Sequence, residues 1–385
     1  MKLLWVLCFG AVVMTVSAAE NLNALLDGVR KQYGLPAVAA VLMKGGKIVA
    51  EGVAGTRVVD GKGPATLDDK FHLGSDTKSF TALLAAMLVE EGKLRWDLTL
   101  EEAYPEWKDK IPESLRKATL LQLLSHSSGL SGDNEEVFKL YFDPPKDIRP
   151  LPELRMALIE KAWKLPPAGQ PGEKFVYSNL GYIVAGSIIE RAAGKSWEEL
   201  MHERIFTPMG LSSAGLGPQC SLGVADAAVP HLREDDGKVY VMLGGPFADV
   251  PAVMGPAGNA HMTPRDFARW VSWNAAEGRR PPNLVSAETL KKLHTPVIAT
   301  PPGMKEEPGT PQLGQYALGW GQVTYPWSDK TFLYHGGSNG MNLAWMVALP
   351  EQDLALVLMT NIGGKQADLA FRELTKEIMG GAVGK

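Results

Sequence analysis

Apolar, strand-like segments stand at both ends of the chain, and a block with helical periodicity separates them. Near the N-terminus, residues 36–56 contain two apolar, β-branched runs around Gly45 and Gly46, which predicts a hairpin. Four more strand-like runs stand near the C-terminus, at residues 316–323, 331–337, 341–349 and 354–360. This arrangement favours an α+β fold, in which strands from both ends of the chain form one antiparallel sheet flanked by helices.

The intervening block is predicted to be a mostly helical insert. Helical patterns dominate from Trp96 to about Gly215, and a long Pro/Gly-rich loop is expected at residues 295–315. The insert would form the second wall of a cleft. We expect one domain over residues 20–385, with an α/β part at about 20–95 and 255–385 and the helical insert at about 96–254.

The first nineteen residues have the pattern of a secretory signal peptide. Lys2 precedes an apolar run, and the small residues Ser17, Ala18 and Ala19 precede Glu20. The alternative is an uncleaved anchor, but the uncharged stretch of 17 residues is at the short limit for a spanning helix. We expect cleavage near Ala18 or Ala19, a secreted or periplasmic protein, and no membrane span after cleavage.

Composition excludes several other classes of protein. The chain is 45% hydrophobic and 21% charged with a net charge of −4, so it has neither the composition of a disordered protein nor the basic excess of a nucleic-acid binder. Cys220 is the only cysteine outside the predicted signal peptide, so no internal disulfide is possible. Since there is no cysteine cluster and no His-Glu-x-x-His motif, we expect no metal and no other cofactor.

Ser75 precedes Lys78 by three residues, at the start of an apolar helical pattern. The predicted helix runs from Ser75 to about Glu91, with large apolar residues on one face and small uncharged residues on the other, so we expect it to be buried on both sides. Lys78 has no acidic partner one turn away, and burial would lower its pKa towards that of a general base. Ser75 is therefore an N-cap of this helix, a nucleophile with Lys78 as its base, or both.

Ser338 is a second candidate nucleophile. The segment Gly336–Gly340 matches the G-x-S-x-G elbow of α/β-hydrolases, with Ser338 at its centre. The elbow requires a helix after the serine, but the next residues form a strand-like pattern, and no histidine follows His335 to complete a triad. Ser338 is therefore not expected to be the nucleophile.

Two further motifs follow Ser75 along the chain. Tyr177-Ser-Asn179 lies in a loop before an apolar helix, and His335-Gly-Gly337 ends an apolar strand, where glycines would let a substrate approach the backbone. Each motif has a structural explanation: Tyr177 as a core residue, Asn179 as a helix cap, and His335 as a hydrogen-bonded strand residue. Their joint occurrence in this order favours an active site.

With these motifs the chain resembles the serine β-lactamases and penicillin-binding proteins, most closely the class C branch with its related esterases and D-amino-acid peptidases. SDTK at residues 75–78 corresponds to the Ser-x-x-Lys motif, and YSN at 177–179 to the second motif. HGG at 335–337 stands in the third position, which is usually Lys-Thr-Gly in β-lactamases. LLSHSSGL at 123–130 and GWG at 319–321 also resemble the family. The resemblance covers nearly all of the chain after the signal and implies the β-lactamase/transpeptidase fold.

The resemblance also implies a reaction. Ser75 would attack a carbonyl to form an acyl-enzyme, and Lys78 and Tyr177 would share the proton transfers. A base that takes the serine proton contributes about 10²–10⁴ in rate. The backbone N–H groups of Ser75 and Ser338 would form the oxyanion hole, each contributing roughly 10²–10³.

The substrate-binding residues implied by the resemblance are Asn179, His335 and Gly337. The third-motif lysine of β-lactamases is a cation that helps to hold the substrate carboxylate, whereas a histidine is mostly neutral at pH 7. We therefore expect ester hydrolysis or D-amino-acid peptidase chemistry ahead of efficient β-lactam hydrolysis. The expected substrates are small esters, peptides including cell-wall peptide, and β-lactams.

A non-catalytic module that binds peptidoglycan or a protein partner is the rival interpretation. Such a retired relative would have lost catalytic side chains, whereas the serine, lysine, tyrosine and asparagine are all present here. An exported serine hydrolase is therefore the favoured prediction.

Overall fold

The computed structural model describes residues 19–61, 63–142, 149–244, 248–301 and 311–383. Residues 1–18 of the predicted signal peptide and residues 302–310 of the predicted loop lie outside these ranges. Within them, no helix has the length and apolar character that crossing a bilayer requires.

Fourteen strands are present in the described residues, and most of the long ones lie near the two ends of the chain. In chain order they are β1 (Glu20–Asn21), β2 (Ala37–Lys44), β3 (Lys47–Gly55), β4 (Phe71–His72), β5 (Gly215–Leu216), β6 (His231–Arg233), β7 (Val239–Val241), β8 (Ala260–Met262), β9 (Ile298–Ala299), β10 (Gln312–Tyr316), β11 (Gly321–Thr324), β12 (Thr331–Ser338), β13 (Leu343–Leu349) and β14 (Leu354–Thr360).

The central sheet has nine strands in the order β1-β3-β2-β14-β13-β12-β11-β10-β9. N-terminal β2 pairs with C-terminal β14, so the two ends of the chain form one sheet, as predicted. All pairs are antiparallel except the short edge strand β1, which runs parallel to β3. The predicted hairpin at Gly45 and Gly46 connects β2 and β3 and is confirmed.

Fourteen α-helices are present in the same ranges. They are α1 (Asn23–Tyr33), α2 (Thr77–Glu90), α3 (Leu100–Ala103), α4 (Leu120–Leu124), α5 (Glu135–Phe142), α6 (Leu151–Ala162), α7 (Asn179–Ala193), α8 (Trp197–Met201), α9 (Thr207–Met209), α10 (Gly255–Gly258), α11 (Pro264–Ala275), α12 (Ala287–His294), α13 (Lys365–Thr375) and α14 (Gly381–Val383).

Helices cover both faces of the sheet. On β13, Ala344 and Met346 face the core cluster that contains α2 and α11, whereas Trp345 and Val347 face the cluster that contains α1 and α13. Both faces of the sheet are buried at β13 and β14. This explains why the sequences of these two strands are continuous apolar runs rather than alternating patterns. The fold is thus the predicted α+β arrangement, while the division into an α/β part and an insert stays a prediction.

Helix α2 lies at the centre of the molecule. Every residue from Thr77 to Leu88 is buried, because α7, α10 and α12 pack against this helix and Phe80 stacks on Trp270 of α11. The small residues on its second face allow this close packing, as the sequence predicted. A lysine in this helix is therefore held away from bulk water.

Two predictions of strands and loops were wrong in detail. Residues 316–323 are not one strand, because β10 ends at Tyr316 and β11 begins at Gly321, with a turn between them. The segment 295–315 is not wholly a loop either, since β9 and most of β10 lie within it and pair with each other. Short glycine-containing hairpins of this kind are difficult to distinguish from a single strand by apolar pattern alone.

Candidate active site

Ser75 lies in a tight 3₁₀ turn, Gly74–Asp76, between β4 and α2. Gly74 has φ +51°, and a Cβ atom there would stand 2.4 Å from the backbone nitrogen of Ser338, so glycine is required at this position. The N-cap of α2 is Asp76, without a side-chain cap bond. The N-cap interpretation of Ser75 is therefore wrong: the helix begins two residues later than predicted, and the Ser75 hydroxyl contacts Lys78 instead.

Lys78 is held by three acceptors. Its Nζ atom donates to Ser75 Oγ at 3.0 Å, to Asn179 Oδ1 at 2.6 Å and to the Ala257 carbonyl at 2.7 Å. Burial lowers the pKa of Lys78 from 10.5 to about 7, although the nearby carboxyls of Asp133 and Asp76 oppose this shift. The neutral amine could donate to Asn179 and Ala257 while its lone pair accepts the Ser75 proton, which is the geometry of a general base.

Tyr177 lies beside this pair. Lys78 Nζ is 4.9 Å from the centre of the Tyr177 ring. Burial raises the pKa of Tyr177 above its usual value of 10, and the influence of the Ser75 hydroxyl only partly offsets this rise. The phenol is therefore protonated at neutral pH and can give a proton to a leaving group.

Asn179 is the first residue of α7, but it is not its cap. Ser178 is the N-cap, and its hydroxyl accepts from the Gly181 backbone at 3.2 Å. The cap alternative for Asn179 is thus wrong. Its amide instead connects two charged groups, because Oδ1 accepts from Lys78 and Nδ2 donates to Asp133 Oδ2 at 2.7 Å.

The backbone of β12 lies directly against the turn that carries Ser75. A Cβ atom on Gly337 would stand 1.9 Å from the Leu73 carbonyl and 2.7 Å from the Ser75 nitrogen. The lack of a side chain at Gly337 thus lets the turn of Ser75 pack against β12, and the expected contact of Gly337 with substrate stays a prediction. The same contact brings the backbones of Ser75 and Ser338 together, and their role as an oxyanion hole stays a prediction.

The hydroxyl of Ser338 is engaged in a local turn. It donates to the Asn342 carbonyl at 2.6 Å and accepts from the Gly340 backbone at 3.0 Å. Strand β13 follows this turn, whereas a nucleophile elbow would lead into a helix. The structure therefore agrees with the sequence argument against Ser338 as nucleophile.

His335 is buried, with only 5% of its surface exposed. Its Nε2 atom lies 2.9 Å from the Tyr316 hydroxyl, and its Nδ1 atom lies 2.9 Å from the Gly336 carbonyl and 3.3 Å from Asp76 Oδ1. Burial, helped by the positive charge of Lys78, lowers the pKa of His335 to about 3. His335 is therefore neutral at pH 7 with protein partners at both nitrogens, a geometry that does not favour the predicted direct contact with substrate.

Three groups around the site were missed by the sequence argument. Asp76 is buried beside His335, and burial raises the pKa of its carboxyl well above the usual range. His126 has φ +57°, and its ring lies 4.2 Å from that of Tyr177. Asp133 accepts from Asn179. His126 stands within the LLSHSSGL segment and Asp76 within the SDTK motif, so both had a local signal, whereas nothing in the local sequence connects Asp133 with a site.

A fourth group that the sequence did not indicate, His72, holds the turn that carries Ser75. His72 Nδ1 accepts from the Gly74 backbone at 3.0 Å, and its Nε2 atom lies 2.9 Å from Asp249 Oδ1. Asn339 Nδ2, just after β12, donates to the same carboxylate oxygen at 3.2 Å. This network connects the turn of Ser75 with the end of β12. In the described ranges, no group of three or more histidine, cysteine, aspartate or glutamate side chains could hold a metal ion.

Comparisons with known proteins bear on the family and the fold of this chain. The family model described as Beta-lactamase matches residues 22–376. Penicillin-binding protein 4 of Amycolatopsis lactamdurans is 28% identical over 374 residues, which cover 93% of this chain and 88% of that protein.

Two solved structures show the same fold. The octameric penicillin-binding protein homologue from Pyrococcus abyssi has a TM-score of 0.75 at 24% identity, covering 93% of this chain and 76% of the other. The D-amino acid amidase of Ochrobactrum anthropi SV3, complexed with L-phenylalanine amide, has a TM-score of 0.72 at 21% identity, covering 94% and 99%. Since the family match spans nearly the whole chain, the protein belongs to the beta-lactamase family of serine hydrolases.

Proposed function

We propose that the protein hydrolyses ester or amide bonds through an acyl-enzyme on Ser75. The observation that carries this proposal is the contact of 3.0 Å between Ser75 Oγ and the Lys78 amine, whose pKa is lowered to about 7. A serine hydroxyl is a weak nucleophile unless a base takes its proton, and a buried lysine is such a base.

Acylation follows from the positions of these groups. The Ser75 oxygen bonds to the carbonyl carbon as its proton passes to Lys78, and the carbonyl oxygen takes the negative charge. Backbone N–H groups of Ser75 and Ser338 are proposed to stabilise that charge, and Tyr177 protonates the leaving group as its bond breaks. The Tyr177 phenolate then takes a proton from Lys78, which restores the neutral amine. Lys78 next takes a proton from a water molecule that attacks the acyl carbonyl, and the acid product leaves as the Ser75 oxygen takes that proton back.

The neutral His335 supports esters and amides over β-lactams as substrates. A cation in the third motif would attract the carboxylate that β-lactams carry, and this chain places an uncharged imidazole there. The D-amino acid amidase complexed with L-phenylalanine amide supports the same choice, because it shares the fold and its ligand is a small amide. The sequence supports export of the protein to a secreted or periplasmic location, with residues 1–19 as the cleaved signal.

A steady-state comparison of substrates tests this function. We expect wild type to hydrolyse p-nitrophenyl butyrate with a higher kcat/KM than benzylpenicillin. Ser75→Ala should lose about 10³-fold or more of the ester activity, and Ser338→Ala, which keeps the backbone N–H, should retain most of it. A higher kcat/KM for the penicillin would reverse the proposed substrate order, and ester hydrolysis that is unchanged in Ser75→Ala would refute the mechanism.

A further inference from the structure

The charge balance of the site differs from that of a pocket that binds substrate carboxylates. His335 is neutral and its two ring nitrogens have protein partners. In the described part of the chain, the hydrogen bonds and ion pairs of Ser75, Tyr177, Asn179 and His335 include a single cationic side chain, that of Lys78. Lys78 must be neutral to act as a base, so the reactive state has no positive charge at this position.

A carboxylate stands on the other side of Asn179. Asp133 Oδ2 accepts from Asn179 Nδ2 at 2.7 Å, while Asn179 Oδ1 accepts from Lys78, which contacts the nucleophile. Asp133 is therefore connected to Ser75 through two side chains. Burial raises the pKa of Asp133, and the positive charge of Lys78 opposes this rise.

Asp133 has unused hydrogen-bonding capacity. A carboxylate offers about four lone pairs. Besides the bonds from the Asn179 amide, Asp133 has a long contact of 3.3 Å between Oδ1 and the Tyr141 hydroxyl. Asp133 is partly exposed, and no lysine or arginine forms an ion pair with it in the ranges that the structure describes. A partly buried carboxylate without an ion pair favours a cationic ligand.

We propose that Asp133 determines specificity by binding a protonated amine of the substrate close to the scissile carbonyl. The preferred substrates are then esters or amides of amino-acid type, with a free ammonium group, rather than substrates with a carboxylate. An α-ammonium group is separated from the scissile carbonyl by one carbon, so a carboxylate beside Asn179 and Lys78 is suitably placed to receive it. This inference rests on the proposed function and specifies its substrate class.

Matched anilides test the inference directly. Alanine p-nitroanilide, in its D and L forms, differs from isobutyryl p-nitroanilide by an ammonium group in place of one methyl group. At pH 7 the ammonium is mostly protonated, since free α-amino groups have a pKa of about 7.7–8.0. We expect kcat/KM of wild type for the faster of the two alanine enantiomers to exceed kcat/KM for isobutyryl p-nitroanilide by about 10- to 100-fold. One charge-assisted hydrogen bond contributes free energy of this size.

The variant Asp133→Asn keeps the shape of the side chain and removes its charge. We expect the ratio of kcat/KM for the two anilides to fall towards 1, whereas Glu135→Gln, which removes a neighbouring exposed acid paired with Lys139, should keep the wild-type ratio. A variant that is less active for any other reason should lose kcat/KM for both anilides equally, so its ratio would not change. If Asp133→Asn does not fold, Asp133→Ser, which retains an acceptor for Asn179, gives the same comparison.

Two results would overturn the inference: a wild-type ratio of 1 or less, or a wild-type ratio that persists when Asp133 is neutralised. A different result would refute the proposed function itself. If wild type hydrolyses neither anilide and Ser75 takes no fluorophosphonate adduct, the acyl-enzyme mechanism is refuted together with this inference. If the adduct forms and the two anilides are hydrolysed equally, only the role of Asp133 is refuted.

Discussion

At the scale of single residues, the site depends on a lysine that is held away from water. Lys78 is completely buried in α2, and its amine contacts the Ser75 hydroxyl. Burial disfavours the charged form, so the pKa falls from 10.5 to about 7. A lysine on the surface would be protonated at pH 7 and could not accept the serine proton.

This shift predicts the pH dependence of the reaction. The reactive form has a deprotonated Lys78, so kcat/KM for a neutral ester should rise about tenfold per pH unit below pH 7 and level off above it. The pKa of Tyr177 is raised, so no fall due to its deprotonation is expected below about pH 10. A pH–rate profile of wild type with p-nitrophenyl butyrate measures this, with spontaneous hydrolysis subtracted.

A profile that is flat from pH 5 to 9, or that falls through pH 7, would contradict the role of Lys78 as base. Lys161→Met serves as a matched control, because it removes a lysine of α6 outside the site and should leave the profile unchanged. Lys78→Met should lose about 10²–10⁴-fold in rate at pH 8.

The site residues that were predictable from the sequence are those that stand a few residues apart in one motif. Ser75 and Lys78 are three residues apart on one turn, and Tyr177 and Asn179 form a second compact motif. Asp133 was not predictable, because what gives it importance is a neighbour far away in sequence. Asp133 meets Asn179, 46 residues later, only because the segment before α5 folds against the start of α7.

At the scale of secondary structure, the site depends on the contact between one turn and one strand. The turn Gly74–Asp76 packs against β12 without any intervening side chain at Gly337. The network of His72, Asp249 and Asn339 supports the same junction. The relative position of the Ser75 and Ser338 backbones is therefore set by packing, which a pattern of apolar residues does not reveal.

A substitution at the junction tests this arrangement. In Gly337→Ala the new methyl group would collide with the backbone of Leu73 and Ser75, at 1.9 and 2.7 Å, so the turn and the strand must separate. We expect a loss of roughly 10²–10³ in kcat, comparable to the loss of one oxyanion donor. The free energy of unfolding should fall by about 1–3 kcal/mol.

Gly28→Ala is the control for this substitution. Gly28 lies inside α1, and apart from the backbone of that helix no atom stands within 4 Å of the place that the methyl group would take. Alanine should therefore be neutral or stabilising by up to about 1 kcal/mol, with unchanged kcat. Thermal unfolding and steady-state kinetics of both variants measure the effects. Wild-type kcat in Gly337→Ala would show that close packing of this junction is not needed for the reaction.

At the scale of the whole molecule, the two ends of the chain form a sheet that supports the reactive groups. Strands β2 and β14 pair over their length, and helices on both faces keep the sheet dry. This much was predictable, because continuous apolar runs at both ends have few other ways to be buried. The small sheet of β4, β8 and β5, which orients the residues before Ser75, was not predictable, because its strands have only two or three residues each.

The central claim is that Ser75 is the nucleophile, and covalent labelling tests it most directly. Wild type, Ser75→Ala and Ser338→Ala are incubated with a fluorophosphonate, and the intact mass of each protein is measured. We predict one adduct on wild type and on Ser338→Ala, and none on Ser75→Ala. An adduct that survives in Ser75→Ala, or a wild type that takes no adduct, would contradict the claim.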